Sequence, residues 1–158
     1  MARYGLEELL NDLETIIKAN LNTKIASINT EYDDDYNLET VRDEAYFLQT
    51  LDQQFSNYPT SILYGVTNID SISNAGNSVD TFTIEINIVI TDTGQNVNIA
   101  KKLYRYSRVL KEIIEEKWAS ANNGIKLNIK SLIPIYFEDA NNSSFYRAIG
   151  IELVASIA

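Results

Sequence analysis

The chain has 158 residues, is 45% hydrophobic, and carries 13 basic against 22 acidic side chains, a net charge of −9. This length suits a single compact domain, residues 1–158, that buries roughly two-thirds of its unfolded surface. So acidic a chain is a poor candidate for wrapping nucleic acid, because affinity for phosphates comes mainly from clustered Lys and Arg. The absence of Cys and His removes disulfides, thiolate metal sites and the commonest general base.

Targeting and membrane signals are not found in the sequence. The first residues lack a basic region followed by an apolar stretch, so we expect no secretory signal. No apolar run approaches the roughly 18 residues of a transmembrane helix, so no membrane partner is expected.

An amphipathic helix is predicted at residues 5–19, and its apolar stripe continues to about residue 29. Glu7 and Glu8 suit the positive end of the helix dipole. Asn20 and Asn22 leave a break in the second half open. The stripe consists of Leu6, Leu9, Leu10, Leu13, Ile16, Ile17, Leu21, Ile25 and Ile28.

The next segment is predicted to be a loop and helical insert. Residues 31–42 are acidic and irregular. Apolar residues at helical spacing then indicate a short helix, which Asn57-Tyr58-Pro59 would end. The residues of that helical pattern are Ala45, Leu48, Leu51 and Phe55.

Two strands are predicted on either side of a loop. Residues 61–66 alternate as a strand, and 67–78 are rich in Asn, Ser, Asp and Gly, which is typical of a turn or flexible loop. The strand at 79–91 has the clearest alternation in the chain. Its apolar face is Phe82, Ile84, Ile86, Ile88 and Ile90, and its polar face is Thr81, Thr83, Glu85 and Asn87.

The period then changes to that of a second amphipathic helix, predicted at residues 99–118. Asn96 or Asn98 is a suitable N-cap, and Asn122-Asn123-Gly124 would end the helix in a left-handed conformation. Its stripe is Ile99, Leu103, Tyr106, Leu110, Ile113 and Lys117.

Two further strands are predicted at 125–137 and 145–157, joined by a hairpin loop at 138–144. Pro134 cannot donate to a ladder, so it favours an edge position or a bulge. The last strand carries Phe145, Arg147, Ile149, Ile151, Leu153, Ala155 and Ile157 on one face.

These elements predict an α+β fold in the order helix, strand, strand, helix, strand, strand, with the insert after the first helix. Four strands joined by hairpins make a mainly antiparallel sheet. The two amphipathic helices must then cover its apolar face.

The acidic segment offers a weak metal-site pattern. If Asp33 is the first position of a calcium loop, then Asp35, Asn37, Glu39 and Glu44 occupy the third, fifth, seventh and twelfth. The sixth position, which needs Gly for its sharp turn, is Leu38. We therefore interpret the segment as a solvated acidic loop and predict no metal site.

The second helix interleaves aromatic and basic side chains, a pattern that can stack on and neutralise nucleic acid. Tyr106 belongs to the apolar stripe, however, and acidic residues lie close enough to pair with Arg105 and Arg108. We therefore predict a structural role. The interleaved residues are Tyr104, Arg105, Tyr106 and Arg108, and the acidic ones Glu112, Glu115 and Glu116.

No catalytic constellation is predicted. Ser143 and Ser144 have no His to activate them, although a Ser–Lys pair is not excluded from the sequence. Gly-rich phosphate loops are absent from the sequence. We expect neither an enzyme nor a cofactor.

Three passages carry a resemblance of pattern and order that covers nearly the whole chain. They are Leu6-Glu7-Glu8-Leu9-Leu10, then Tyr58-Pro59-Thr60-Ser61-Ile62, then the stretch from Phe82 through Leu103–Leu110 to Phe145–Leu153. The layout resembles the tail-terminator or tail-completion proteins of tailed bacteriophages and of phage-tail-like bacteriocins.

The resemblance implies a structural protein that closes into a homo-hexameric ring, caps the tail tube and ends its polymerisation. The implied partners are the tube protein, possibly the sheath, and a neck, collar or connector protein; DNA would only pass through the lumen where a head is present. The implied location is the tail or neck of the virion, after assembly in the cytoplasm of the host bacterium. Thr81, Thr83, Glu85, Asn87 and residues 67–78 are the hypothesised contacts.

Two alternatives stay open from the sequence. One is a neck stopper or connector adaptor, which would bind the portal side instead of the tube. The other is a small cytosolic binding domain with no role in assembly.

Overall fold

A computed structural model describes residues 5–48, 58–92, 99–118, 127–138 and 145–157. In the described residues, two long helices pack on one face of a five-stranded mixed sheet, an α+β architecture. The elements are α1 (Leu6–Tyr32), a 3₁₀ turn (Asp43–Ala45), β1 (Tyr46–Leu48), β2 (Thr60–Asn74), β3 (Asn77–Asp92), α2 (Ile99–Ile113), a π-helical turn (Ile114–Trp118), β4 (Leu127–Glu138) and β5 (Phe145–Ile157).

The first helix is continuous over 27 residues and has no break at its asparagines. It begins where the Gly5 backbone N–H donates to the Glu8 carboxylate at 2.9 Å. It ends at Asp33, which adopts the left-handed conformation with φ 46°. Asn20 lies within the helix, and its side-chain amide donates to the Ile16 carbonyl at 2.8 Å, one turn back.

The sheet order is β1-β2-β3-β5-β4. The prediction of antiparallel pairing is correct for β2 to β5, but the sheet gains β1 as a fifth, parallel strand. The last strand lies between β3 and β4, and its residues from Ala148 to Ile151 are buried on both faces. Pro134 lies in β4, which is an edge strand of the described sheet, as predicted.

The short helix predicted from Ala45 is wrong over residues 46–48, which form β1. Tyr46 and Phe47 point to opposite sides of the sheet: Tyr46 packs on the main core, and Phe47 belongs to a separate buried cluster. Consecutive aromatic residues that each need burial are satisfied by a strand, whose side chains alternate between faces. Leu51 and Phe55 of the predicted helix lie outside the described residues.

The turn or loop predicted at 67–78 is also wrong. Strand β2 continues to Asn74, and β3 starts at Asn77, so the turn is only Ala75-Gly76. Gly76 has φ +97°, which glycine adopts without steric cost. The Asn, Ser and Gly content indicated a loop, but cross-strand pairing with β3 extends the ladder despite weak strand propensities. We call Thr67–Asp80 the hairpin arm.

The second helix changes its hydrogen-bond pattern at its end. The predicted stripe places Lys117 after Ile113, but the structure exposes Lys117 and buries Trp118. A π-helical turn explains the shift, because its i to i+5 spacing leads from Ile113 to Trp118. The predicted cap at Asn96 or Asn98 and the predicted end at residues 122–124 lie outside the described residues.

The main core lies between the helices and the inner face of the sheet, which is the face toward α1 and α2. Helix α2 packs against both α1 and β5, and the alternating isoleucines of β3 are buried beneath the helices. The predicted apolar face of β3 is therefore confirmed, and that of β5 is confirmed from Ile149 to Ala155. The innermost sheet residues are Ile62, Ile84, Ile86, Ile88, Ile151, Leu153 and Ala155.

This core generates a direct stability prediction. Ile86→Ala, at a central site with 0% exposure, should lower the free energy of unfolding by about 2–5 kcal/mol, since it leaves a cavity. Ile72→Ala is the matched control: its side chain is 66% exposed, and the cost should stay within about 0.5 kcal/mol. Chemical denaturation measures both. Equal losses would contradict this assignment of the core.

Candidate interaction surface

The acidic segment at residues 33–42 is a packed strap, where the sequence predicts a solvated loop. It runs along α1 and the first half of α2, and it buries Leu38 and Val41 in the main core. The tyrosine hydroxyl of Tyr106 donates to the Glu39 carbonyl at 2.7 Å. Burial raises the pKa of that hydroxyl to about 12, so it stays a donor at neutral pH.

Two asparagines of α1 hold the strap by its backbone. The Asn22 amide accepts from the Val41 N–H at 2.9 Å and donates to the Val41 carbonyl at 3.0 Å. Asn29 does the same for Leu38, at 2.7 and 2.9 Å. An Asn amide offers a donor and an acceptor side by side, so each one pairs with an extended residue as a strand would. Two asparagines seven residues apart lie on the same side of a helix, a spacing that could have indicated a bound segment of chain. The sequence instead led us to expect a possible helix break at Asn22.

Arg105 anchors the start of the strap. Its guanidinium donates to both carboxylate oxygens of Asp34 and to the Tyr36 carbonyl, the latter at 2.8 Å. The guanidinium also lies over the Tyr32 ring at 3.8 Å from its centre. The hydrogen bonds from Arg105 lower the pKa of Asp34 to about 2. Because Arg105 is only 7% exposed, this residue has a structural role.

The calcium-loop pattern does not assemble into a site. Leu38, at the position where the loop needs Gly, is buried, and Asp34 is engaged by Arg105. Among the residues that the structure describes, no group of three or more acidic side chains is placed to hold a metal ion.

The outer side of the helical layer is tied together by ion pairs. Arg108 bonds to Glu112 and to Glu31, at 2.8 and 2.9 Å, and thereby joins α2 to α1. Lys24 reaches Glu116 at 3.0 Å and Glu112 at 3.2 Å. The prediction that the arginines of α2 serve structure is correct, although Arg105 pairs with Asp34 and not with a helical neighbour. Tyr104 is exposed.

The sheet face away from the helices, which we call the outer face, is polar toward the hairpin arm. Thr81 and Thr83 lie beside Ser156 and Val154 on this face, as the register requires. Glu85 lies directly opposite Glu152. In the described positions of β2, β3 and β5 this face carries no Lys or Arg. The outer face is therefore an acidic, hydroxyl-rich surface with no described helix on it.

The opposite end of the outer face is apolar and buried. Phe47, Leu63, Val89 and Ala148 form a small second cluster, against which Tyr58 packs. Asn87 lies between the two ends and is only 7% exposed; its amide nitrogen donates to Glu85 at 2.9 Å. The hypothesis that Asn87 contacts a partner is thus weakened by its burial, whereas Thr81, Thr83 and Glu85 remain accessible in part.

Ser143 and Ser144 lie outside the described residues. Neither described helix is long and apolar enough to cross a membrane. The chain matches no known family profile, and no curated protein is significantly similar to it in sequence.

The anchoring of the strap predicts an acid-sensitive contribution to stability. Because the pKa of Asp34 falls to about 2 in the folded state, ionised Asp34 stabilises the fold above about pH 4, and this is lost as the pH falls toward about 2. A carbon-13 NMR titration of the Asp34 carboxyl should give this low pKa in the native chain.

Arg105→Gln should raise the pKa of Asp34 toward its ordinary range, because the charged donor is gone. Arg108→Gln is the matched control and should leave Asp34 low, since Arg108 pairs with Glu31 and Glu112. An Asp34 pKa that does not respond to loss of Arg105 would contradict the assigned contact.

Proposed function

We propose that this chain is a structural tail protein that forms a ring, caps the tail tube, ends tail polymerisation and provides the junction to the neck or collar. It acts in the virion, requires no cofactor and catalyses no reaction. Its partners are copies of itself, the tube protein and a neck or collar protein.

The observation that carries this proposal is that the described helices cover one face of the sheet and leave the other face uncovered. The inner face is filled by α1 and α2, which are joined to each other by the ion pair Arg108–Glu31, while Lys24 of α1 pairs with Glu116 of the π-helical turn. The polar end of the outer face and the hairpin arm have no such cover among the described elements. Monomeric domains seldom leave exposed apolar groups on a long strand pair, so these surfaces suit protein contacts.

Charge supports the same proposal. The outer face brings Glu85 and Glu152 together and has no described basic residue in β2, β3 or β5. An acidic surface does not grip a phosphate backbone, which suits a ring through which DNA passes without being bound. It also suits a basic face on a neighbouring tail protein.

A neck stopper or connector adaptor is the second candidate, because it would use the same exposed face against the portal side. A small cytosolic binding domain with no role in assembly is the less favoured candidate.

Deletion of the gene in its phage or tail-like particle tests the proposal. A terminator that is absent leaves tube growth unchecked, so electron microscopy should show overlong tails, and the native gene should restore normal length. Tails of normal length would overturn the terminator function. Normal tails that fail to join heads would support the neck alternative instead.

Complementation with charge-reversed variants locates the contact. Glu85→Lys should fail to restore tail length, because it reverses the charge of the outer face. The new ammonium would face Glu152 across the strands, but the Asn87 amide would lose its acceptor, so circular dichroism must first show that the variant keeps the native fold.

Glu115→Lys is the matched control: Glu115 is exposed on the helical side, so this variant should restore normal tails. Full complementation by Glu85→Lys would exclude the outer face as the contact.

A further inference from the structure

The hairpin arm projects beyond the rest of the described sheet. Seven consecutive residues, Thr67–Ser73, are exposed, so neither face of this strand segment is covered. Strand β1 pairs with β2 only from Ile62 to Tyr64, and β5 pairs with β3 only as far as Asp80. The end of the arm is therefore a two-stranded ribbon, which is marginally stable in water unless a further strand or surface joins it.

Along the edge of the arm away from β3, the backbone groups have no partner among the described residues. The two-residue turn makes Asn74 and Asn77 the closing hydrogen-bonded pair, and the pairs then alternate along the ladder. By this alternation, Ile69, Ser71 and Ser73 direct their N–H and C=O groups away from β3. No described strand lies along this edge.

The arm lacks the usual protection of an edge strand. Residues 67–80 contain no Lys, Arg or Pro, and the bulge at Val66/Asn68 lies at the base of the arm. Ile69, Ile72 and Val79 are 54%, 66% and 40% exposed. Open backbone edge and exposed apolar side chains together favour the addition of a strand.

Pairing of two arms with each other is disfavoured by charge. Asp70 is at the centre of Thr67–Ser73, so antiparallel self-pairing in full register would place it opposite the same aspartate of the other copy. Like charges in directly opposed positions destabilise a strand pair.

The other edge of the same sheet is the better partner for the arm. Because β2, β3, β5 and β4 are successively antiparallel, β2 and β4 run in opposite directions. Copies placed side by side in one orientation therefore bring the two edges together as an antiparallel pair.

The two edges also match in position along the strand direction, as the register across the sheet shows. Pro134 is level with Ile62, where β1 already covers β2. Leu127 is level with Ile69 of the free arm. The part of β4 that precedes its proline would thus meet the part of β2 whose edge away from β3 has no described strand beside it.

We propose that the hairpin arm of one copy adds as a strand to the Leu127–Ile133 edge of β4 in the next copy, joining their sheets head to tail. Such a contact is heterologous and closes into a ring when the rotation between copies allows it. This inference rests on the proposed function in taking the ring as the assembled state, and it adds the contact that builds the ring.

Cysteine cross-linking tests the contact, because the chain has no Cys of its own. Asn68 and Asn128 are both exposed, share the outer face and lie at one level of the sheet through Thr83 and Val154. The double variant Asn68→Cys/Asn128→Cys, treated with a short bis-maleimide, should give a ladder of covalent oligomers on a denaturing gel. A mixture of the two single variants should give dimers only.

The control pair Asn68→Cys/Ser27→Cys, with Ser27 exposed on α1, should remain monomeric. Dimers of Asn68→Cys alone would overturn the proposal in favour of paired arms. Native rings without a ladder would overturn it and leave the proposed function standing. A protein that is monomeric both alone and on tail tubes would overturn both.

A second comparison does not depend on cysteine. Ile69→Pro removes one outward N–H from the arm edge and should weaken association about fivefold or more, whereas Ile69→Val keeps that N–H and should associate normally. Equal association of the two variants, with the fold intact by circular dichroism, would contradict strand addition at this edge.

Discussion

The alternation of β3 constrains the rest of the structure. Its even-numbered isoleucines must be buried, and α1 and α2 bury them from one side. Because successive side chains of a strand point to opposite faces, the odd-numbered residues are then fixed on the other side. Thr81, Thr83 and Glu85 cannot be moved inward without exposing the core, since a shift of one residue would exchange the faces. An exposed polar face on the sheet is thus a consequence of how this core is filled.

The two sides of the molecule differ in how their charges are satisfied. On the helical side, Arg108 and Lys24 each bond to two carboxylates, and Arg105 holds the strap through Asp34. These contacts join α1, α2 and the strap to one another. On the sheet side, carboxylates such as Glu85 and Glu152 are neighbours in the ladder. The described outer face of β2, β3 and β5 carries these carboxylates and no Lys or Arg, whereas the helical side carries both signs of charge.

Much of the fold could be predicted because the apolar periods are strong. The stripe of α1, the alternation of β3 and β5, and the edge position suggested by Pro134 each follow from one local signal. The missed features depend on contacts between distant residues. Strand β1 forms only by pairing with the edge of β2. The hairpin arm forms by pairing across a two-residue turn, in a segment whose Asn, Ser and Gly content is typical of a loop. The shift from Lys117 to Trp118 needs a π-helical turn, which leaves no period in the sequence.

The candidate surface was predictable only in part. Polar residues between the isoleucines of β3 indicated an outward face, but the burial of Asn87 comes from the small apolar cluster around Val89. The strap was hidden because Asn22 and Asn29 are poor helix formers, and their role appears only when Val41 and Leu38 are placed beside them.

The central claim of this account is that the chain is a part that assembles with copies of itself. Native mass spectrometry of the purified 17.9 kDa chain, alone and after incubation with tail tubes, tests it most directly. The account predicts a single assembly whose mass is a whole number of chain masses, six for a hexamer. This assembly should be present in the tube-bound sample, whether or not it also forms from the chain alone. A single-copy mass in both samples would contradict it.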